Sequence, residues 1–281
     1  MKGMKKLTAL LMSGVLMLGL ASCGSKDDSK DPAEALGAAV AKLSEAKSMD
    51  VKSKMEMEMS MMDQTIAVSM DMDMSVFNDP MKLRMESDIN VPGAGASKMS
   101  IYVQPDGDQY IMYLNAGDGN WVSQKMAAGD LDDVAQLNAQ NDIELYTKNM
   151  ENLTVKEEDG KTRYDGVIKG AAIEEAVKAS GALDNMGTDV DPEMLKGMFE
   201  DMEGLPISVW VDPESGYPVR YSMDMTGVMS GMMEKIMSSV GGDAASGMKL
   251  NVSKMLIEME YSNFDAATDF EIPAEALNAA A

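Results

Sequence analysis

Met49-Asp50-Val51-Lys52-Ser53-Lys54-Met55-Glu56-Met57-Glu58-Met59-Ser60-Met61 alternates without a break. Its odd positions carry Met49, Val51, Ser53, Met55, Met57, Met59 and Met61, and its even positions carry Asp50, Lys52, Lys54, Glu56, Glu58 and Ser60. A β-strand sends successive side chains to opposite faces, whereas a helix would scatter this pattern around its circumference. One strand face is therefore covered and the other wet. Beyond the turn at Asp63-Gln64 the alternation resumes, with Ile66, Val68, Met70, Met72, Met74 and Val76 on one face. Thr65, Ser69, Asp71, Asp73 and Ser75 lie opposite them. Two such runs joined by a short polar turn predict a long antiparallel hairpin.

Working outward, the same logic extends the sheet. Asn78-Asp79-Pro80 turns the chain into a strand over Met81–Val91, with Met81, Leu83, Met85 and Ile89 inward. Pro92–Ser97 reads as a loop, and Met99–Gln104, Gln109–Leu114 and Asn120–Lys125 read as short strands between Gly-containing turns. Further hairpins are expected for Asn152–Glu157 with Lys161–Lys169, and for Leu205–Val211 with Tyr217–Thr226. Met223 and Met225 repeat the Met-x-Met spacing there. A last strand covers Met248–Tyr261, with Met255, Ile257, Met259 and Tyr261 inward.

Helices are expected at Pro32–Lys47, Asp130–Met150, Ala171–Ala179, Pro192–Met202 and Val228–Val240. The first has Asp31 as a cap, a proline in its opening turn, and Leu36, Val40 and Leu43 at helical spacing. The sum is about eleven strands with a minority of helix. Consecutive hairpins favour an antiparallel α+β domain over a parallel sheet.

The N-terminus reads differently. Lys2, Lys5 and Lys6 precede Leu7–Leu20, an uncharged apolar run too short to cross a bilayer, and Ala21-Ser22-Cys23 follows. Leu20-Ala21-Ser22-Cys23 resembles the lipobox of bacterial lipoproteins. That resemblance implies cleavage of residues 1–22 and acylation of Cys23, with 23–31 a polar tether and 32–281 the folded domain. The address it implies is the extracytoplasmic face of the cell membrane. Cys23 is the only cysteine, so lipidation leaves no thiol for a disulfide, a nucleophile or a metal.

Composition narrows the function. The chain has 47 acidic residues against 24 basic ones, a formal charge of −23, which argues against nucleic acid, whose binding needs Lys and Arg on phosphates. With no histidine and no free thiol, Ser-His-Asp and Cys-His devices are impossible. No Gly-rich phosphate loop follows a strand, and no acidic cluster has calcium-loop spacing. A non-enzyme without cofactor is expected.

Thirty-two methionines need an explanation. Thioethers are soft Cu(I) ligands, and Met-x-Met spacing would set them side by side on a strand. The same residues alternate with Val, Ile and Leu in one register, as apolar wall residues do. An unbranched, polarizable wall also suits loosely specified apolar ligands. Candidate cavity residues are Met55, Met57, Met59, Met61, Met70, Met72, Met74, Leu83, Met85, Met223, Met225, Met255, Ile257 and Met259.

The order of elements, the turn Val211-Asp212-Pro213-Glu214-Ser215-Gly216-Tyr217-Pro218 and the ending Tyr261-Ser262-Asn263-Phe264-Asp265 through Ile272-Pro273 resemble the LolA/LppX-like lipoproteins. The resemblance implies a half-open β-barrel, or curved sheet, with helices over its concave side around a cavity for acyl chains. The expected partners are the membrane, through the anchor, and an apolar, lipid-like ligand. The alternative is a structural surface lipoprotein whose acidic exterior meets another protein.

Overall fold

The computed structural model describes residues 31–61, 64–93, 95–127, 147–179, 204–239 and 250–279. Cys23, the signal segment, the tether residues 24–30 and the helix expected over Pro192–Met202 lie outside them.

Helix α1 (Pro32–Glu45) leads into β1 (Ser48–Met61), β2 (Gln64–Asn78) and β3 (Met81–Val91). β4 (Gly95–Asp106), β5 (Gln109–Asn115) and β6 (Trp121–Ala127) continue the meander. The second half holds β7 (Met150–Glu158), β8 (Lys161–Ile168), α2 (Gly170–Ala179), β9 (Leu205–Val211) and β10 (Pro218–Asp224). α3 (Thr226–Ser239), β11 (Leu250–Ser262) and the short α4 (Ala274–Leu277) are the remaining described elements. The strands form one unclosed sheet in the order β6-β5-β4-β3-β2-β1-β11-β10-β9-β8-β7, every neighbour antiparallel. The last strand sits beside the first and joins two meanders into one sheet.

The hairpin read from the sequence has its expected register. Val51 faces Met74, Met55 faces Met70 and Met57 faces Val68 across β1 and β2. On the other side of β1, Val51 faces Tyr261, Met55 faces Ile257 and Met57 faces Met255. Between Glu58 and Met59 the register steps from Lys254 to Val252, and this bulge takes up Ser253. The extra residue keeps Val252 on the covered face, where it is buried.

Turn chemistry sets the hairpin ends. Asp159 and Gly160 both have positive φ, 51° and 72°, the geometry of a two-residue type I′ turn between β7 and β8. Gly117 has φ 90°, and a Cβ there would lie 2.2 Å from the Lys98 carbonyl oxygen, so only glycine fits.

α1 forms because Asp31 accepts a hydrogen bond from the Ala33 amide at 3.1 Å and Pro32 occupies the opening turn. Its buried residues Leu36, Ala39, Val40 and Leu43 make one stripe. That stripe shares a core with Met49, Val51, Met74, Val76, Leu83, Met85 and Val103, all from the same face of the sheet. We call this face the inner one.

Several boundaries differ from expectation for physical reasons. The loop expected over Pro92–Ser97 shortens, because β4 pairs with β3 from Gly95 opposite Val91. Met150 opens β7, paired with Ile168, and does not close the helix expected from Asp130; only Thr147 and Lys148 of that segment's described part are helical. Large aromatic residues within strands, such as Trp121 and Trp210, suggest core or cavity wall, but their register places both on the outer face. Trp121 packs on Tyr102 with ring centroids 5.7 Å apart, and the Arg163 and Arg220 guanidinium carbons lie 4.5 and 4.7 Å from the Trp210 ring centre.

The outer face also carries a second apolar cluster that periodicity did not foretell. Phe270, from the segment after β11, packs against Phe77 and Tyr102 at centroid distances of 6.0 and 5.8 Å. Lys82 ties it down by an ion pair to Asp269 and a 2.8 Å hydrogen bond to the Phe270 carbonyl. The C-terminal segment is thus strapped across the outer side of β2 to β4.

Candidate functional site

Strand pairing sorts the inner face into rows that run across the sheet. One row reads Leu114, Ile101, Met85, Met74, Val51 and Tyr261, buried in all but Leu114. It is dense core, with Met85 2% and Val51 3% exposed. Toward the β1–β2 turn the rows change character. Ile89, Met70, Met55 and Ile257 form one, and Val68, Met57 and Met255 the next. All seven of these side chains are half-buried.

The candidate cavity residues therefore divide in two. Met74, Leu83, Met85 and Met223 are buried core. Met55, Met57, Met59, Met70, Met72, Met225, Met255, Ile257 and Met259 are half-buried. Met61 lies in β1 opposite Gln64 and Leu250, and Cys23 is outside the described residues. Methionines stand opposite one another in the strand register at Met55/Met70, Met74/Met85 and Met57/Met255. Between these pairs stand Ile and Val, so the rows are a continuous apolar surface, not isolated sulfur sites.

Between the buried and the half-buried regions runs a row that periodicity makes inner yet chemistry makes polar. It reads Met99, Ser87, Met72, Ser53, Met259 and Tyr221. Ser87 is 3% exposed and Ser53 5%. The Ser87 hydroxyl has no hydrogen-bond partner. Of the nearby phenols, Tyr261 donates to the Met259 thioether at 3.3 Å and Tyr221 to the Met223 sulfur at 4.0 Å. Ser53 belongs to the methionine face of the β1 alternation, and Ser87 stands between the inward Met85 and Ile89 of β3. The strict alternation of β3 was the clue that could have found it.

The outer face is built from charge. Glu56 accepts from Lys254 at 2.6 Å and pairs with Lys54 at 2.7 Å; the Lys254 bond, then the Lys54 bond, lower its pKa from 4.5 to about 2. Asp212 is also held at about 2, first by the Ser215 hydroxyl and then by Lys161. Burial, then a hydrogen bond donated to Glu86, raises the Tyr102 phenol to about 12. A cleft of about 420 Å³ opens beside Trp210, but Lys52, Lys161, Arg220 and Glu260 line it. Such walls do not suit an apolar guest. Among the described residues no group of three or more His, Cys, Asp or Glu could hold a metal, and no helix is long and apolar enough to cross a membrane.

Among the described residues, an unclosed eleven-stranded antiparallel sheet, few helices, and one face rich in half-buried methionine define the class: a sheet-dominated α+β domain. Residues 34–281 match the family of unknown function DUF6612, and the chain belongs to that family. Among solved structures it is similar to a DUF1329 family protein from Desulfovibrio piger ATCC 29098. That protein is 10% identical, and the match covers 85% of this chain and 96% of the other at a TM-score of 0.28. No curated protein matches the chain.

Proposed function

We propose that this protein is a membrane-anchored extracytoplasmic lipoprotein that holds an apolar, lipid-like ligand against the methionine-rich end of its inner face. In this reading Cys23 carries the acyl anchor. The sheet acts as a half-open barrel of the LolA/LppX-like kind, with helices covering its concave side. The protein is a binding protein, not an enzyme.

One observation carries the reading. The same inner face is fully buried where it shares a core with α1 and only half-buried at Met55, Met57, Met70, Met255 and Ile257. Contiguous apolar surface of this kind marks a binding surface more often than an idle one. Unbranched thioether side chains adapt to guests of varied shape, which fits a lipid-like ligand better than a single rigid one.

The test is fluorescence titration of the purified full chain with N-phenyl-1-naphthylamine, an apolar probe, beside mass spectrometry of organic extracts from the same preparation. Saturable probe binding, displaced by the extracted lipid, is expected. No saturable binding and a lipid-free extract would leave the inner face as plain core and favour the structural, protein-interaction alternative. Titration of Cu(I) against a competing chelator in the same preparation is expected to reveal no tight site.

A further inference from the structure

We infer that Ser87, with Ser53 beside it, is the polar anchor of the ligand site. Its hydroxyl bonds the oxygenated end group of a single-chain amphiphile whose tail lies over Met70, Met55 and Met57. This rests on the proposed apolar-ligand reading and adds to it the chemistry of the ligand's head.

A buried hydroxyl without a partner is unusual, because taking it from water without a replacement bond costs folding free energy. Ser87 is in that condition, 3% exposed and unpartnered. Its surroundings offer little relief. In the row across the sheet its neighbours are Met99 and Met72, whose thioethers are weak acceptors. Ser53 follows on the far side of Met72 and is buried as well. Replacing Ser87 by alanine would suit a plain core better.

Position gives the hydroxyls a purpose. Their row is the boundary between the core under α1 and the half-buried rows of Ile89, Met70 and Met55. An apolar chain laid along the open rows would stop where the dense core begins, and its end would meet Ser87. Met72 and Met99, which flank that hydroxyl, are themselves half-buried and unbranched. Rotation of a thioether uncovers the hydroxyl without moving the backbone. A few placed polar groups at the end of an apolar site are what fix a ligand's direction.

The experiment measures displacement of N-phenyl-1-naphthylamine from the full chain by dodecan-1-ol and by dodecane, in the natural protein, Ser87→Ala and Ser53→Ala. Ser87→Ala is expected to weaken dodecan-1-ol about fivefold, the size of one neutral hydrogen bond, and to leave dodecane within about twofold. Ser53→Ala is expected to act in the same direction, more weakly. Equal effects of Ser87→Ala on both competitors, or none on either, overturn the anchor. If the naphthylamine fails to bind the natural protein, the proposed function falls and takes the anchor with it. Misfolding does not blur the result, since Ser87→Ala removes an unsatisfied group and its unliganded melting temperature should not drop.

Discussion

The two ends of the inner face share strands, alternation and residue types, yet end in different states. Near α1, Met49, Val51, Met74 and Met85 are buried with Leu36 and Leu43 of the helix. Farther along the same strands, Met55, Met57, Met70 and Ile257 keep part of their surface. Period-two patterning decides which face a residue occupies. What shares a core with that face is decided elsewhere in the chain, here by Leu36 and Leu43 of α1 together with Ile173 and Val228 of the later helices.

The largest expected effect comes from attacking the sealed end. Leu43→Ala removes a fully buried side chain and is expected to cost about 2–5 kcal/mol of stability, read by thermal or urea unfolding. Met57→Ala, on a half-buried side chain, should cost less, about 1–2 kcal/mol, because part of its surface never left water. Equal losses at the two sites would erase the distinction between the ends.

Charge sharpens the comparison further. Met57→Asp is expected to fold yet bind N-phenyl-1-naphthylamine at least about tenfold more weakly, since an uncompensated carboxylate repels an apolar probe. Val51→Asp, three residues from Lys54 but on the sealed inner face, is expected not to fold. A well-folded Val51→Asp, judged by its unfolding transition, would mean that the sealed end is not sealed.

A smaller change is expected at the boundary row. Ser87→Ala should raise the melting temperature of the unliganded protein or leave it unchanged, and a clear fall would mean that the hydroxyl has a partner in solution.

The smallest effects belong to the outer face. The pKa values of Glu56 and Asp212 fall from 4.5 and 3.8 to about 2 on folding, so the folded state binds fewer protons than the unfolded one. Their stabilising contribution is complete above the ordinary carboxylate range and is lost as pH falls from about 4.5 toward 2. Glu56→Gln and Asp212→Asn should flatten that acid limb slightly and leave neutral stability almost unmoved, since exposed pairs contribute little. Melting curves from pH 2 to 7 read both quantities.

Much of this architecture was legible in the residues. The strict alternation of Met49–Met61 assigned its faces, and Asp159-Gly160 announced a tight hairpin. The open end of the candidate site was less legible, because Met57 and Met74 look alike in sequence and differ only in what packs on them. Trp121 and Trp210 misled for a related reason. Large aromatic residues suggest interior, but here Phe270 and two arginines cover an outer face that strand patterning marks as wet. Pairings that join distant parts of the chain, such as Phe270 with Tyr102, leave no local trace.

The place of β11 between β1 and β10 has a consequence for how the molecule is made. Synthesis delivers β1 early and β11 almost last, so the strand that joins the two meanders is the last to become available. Each then presents an unpaired rim: β1 on one piece and β10 on the other. Such rims invite pairing with other chains until the missing strand arrives. Contacts this far apart in sequence also close slowly, because the loop entropy is lost before any bond repays it. The lysines and glutamates along β1, Lys52, Lys54, Glu56 and Glu58, thus serve a nascent chain as well as a finished one. Charged side chains beside an unpaired strand oppose pairing with other chains.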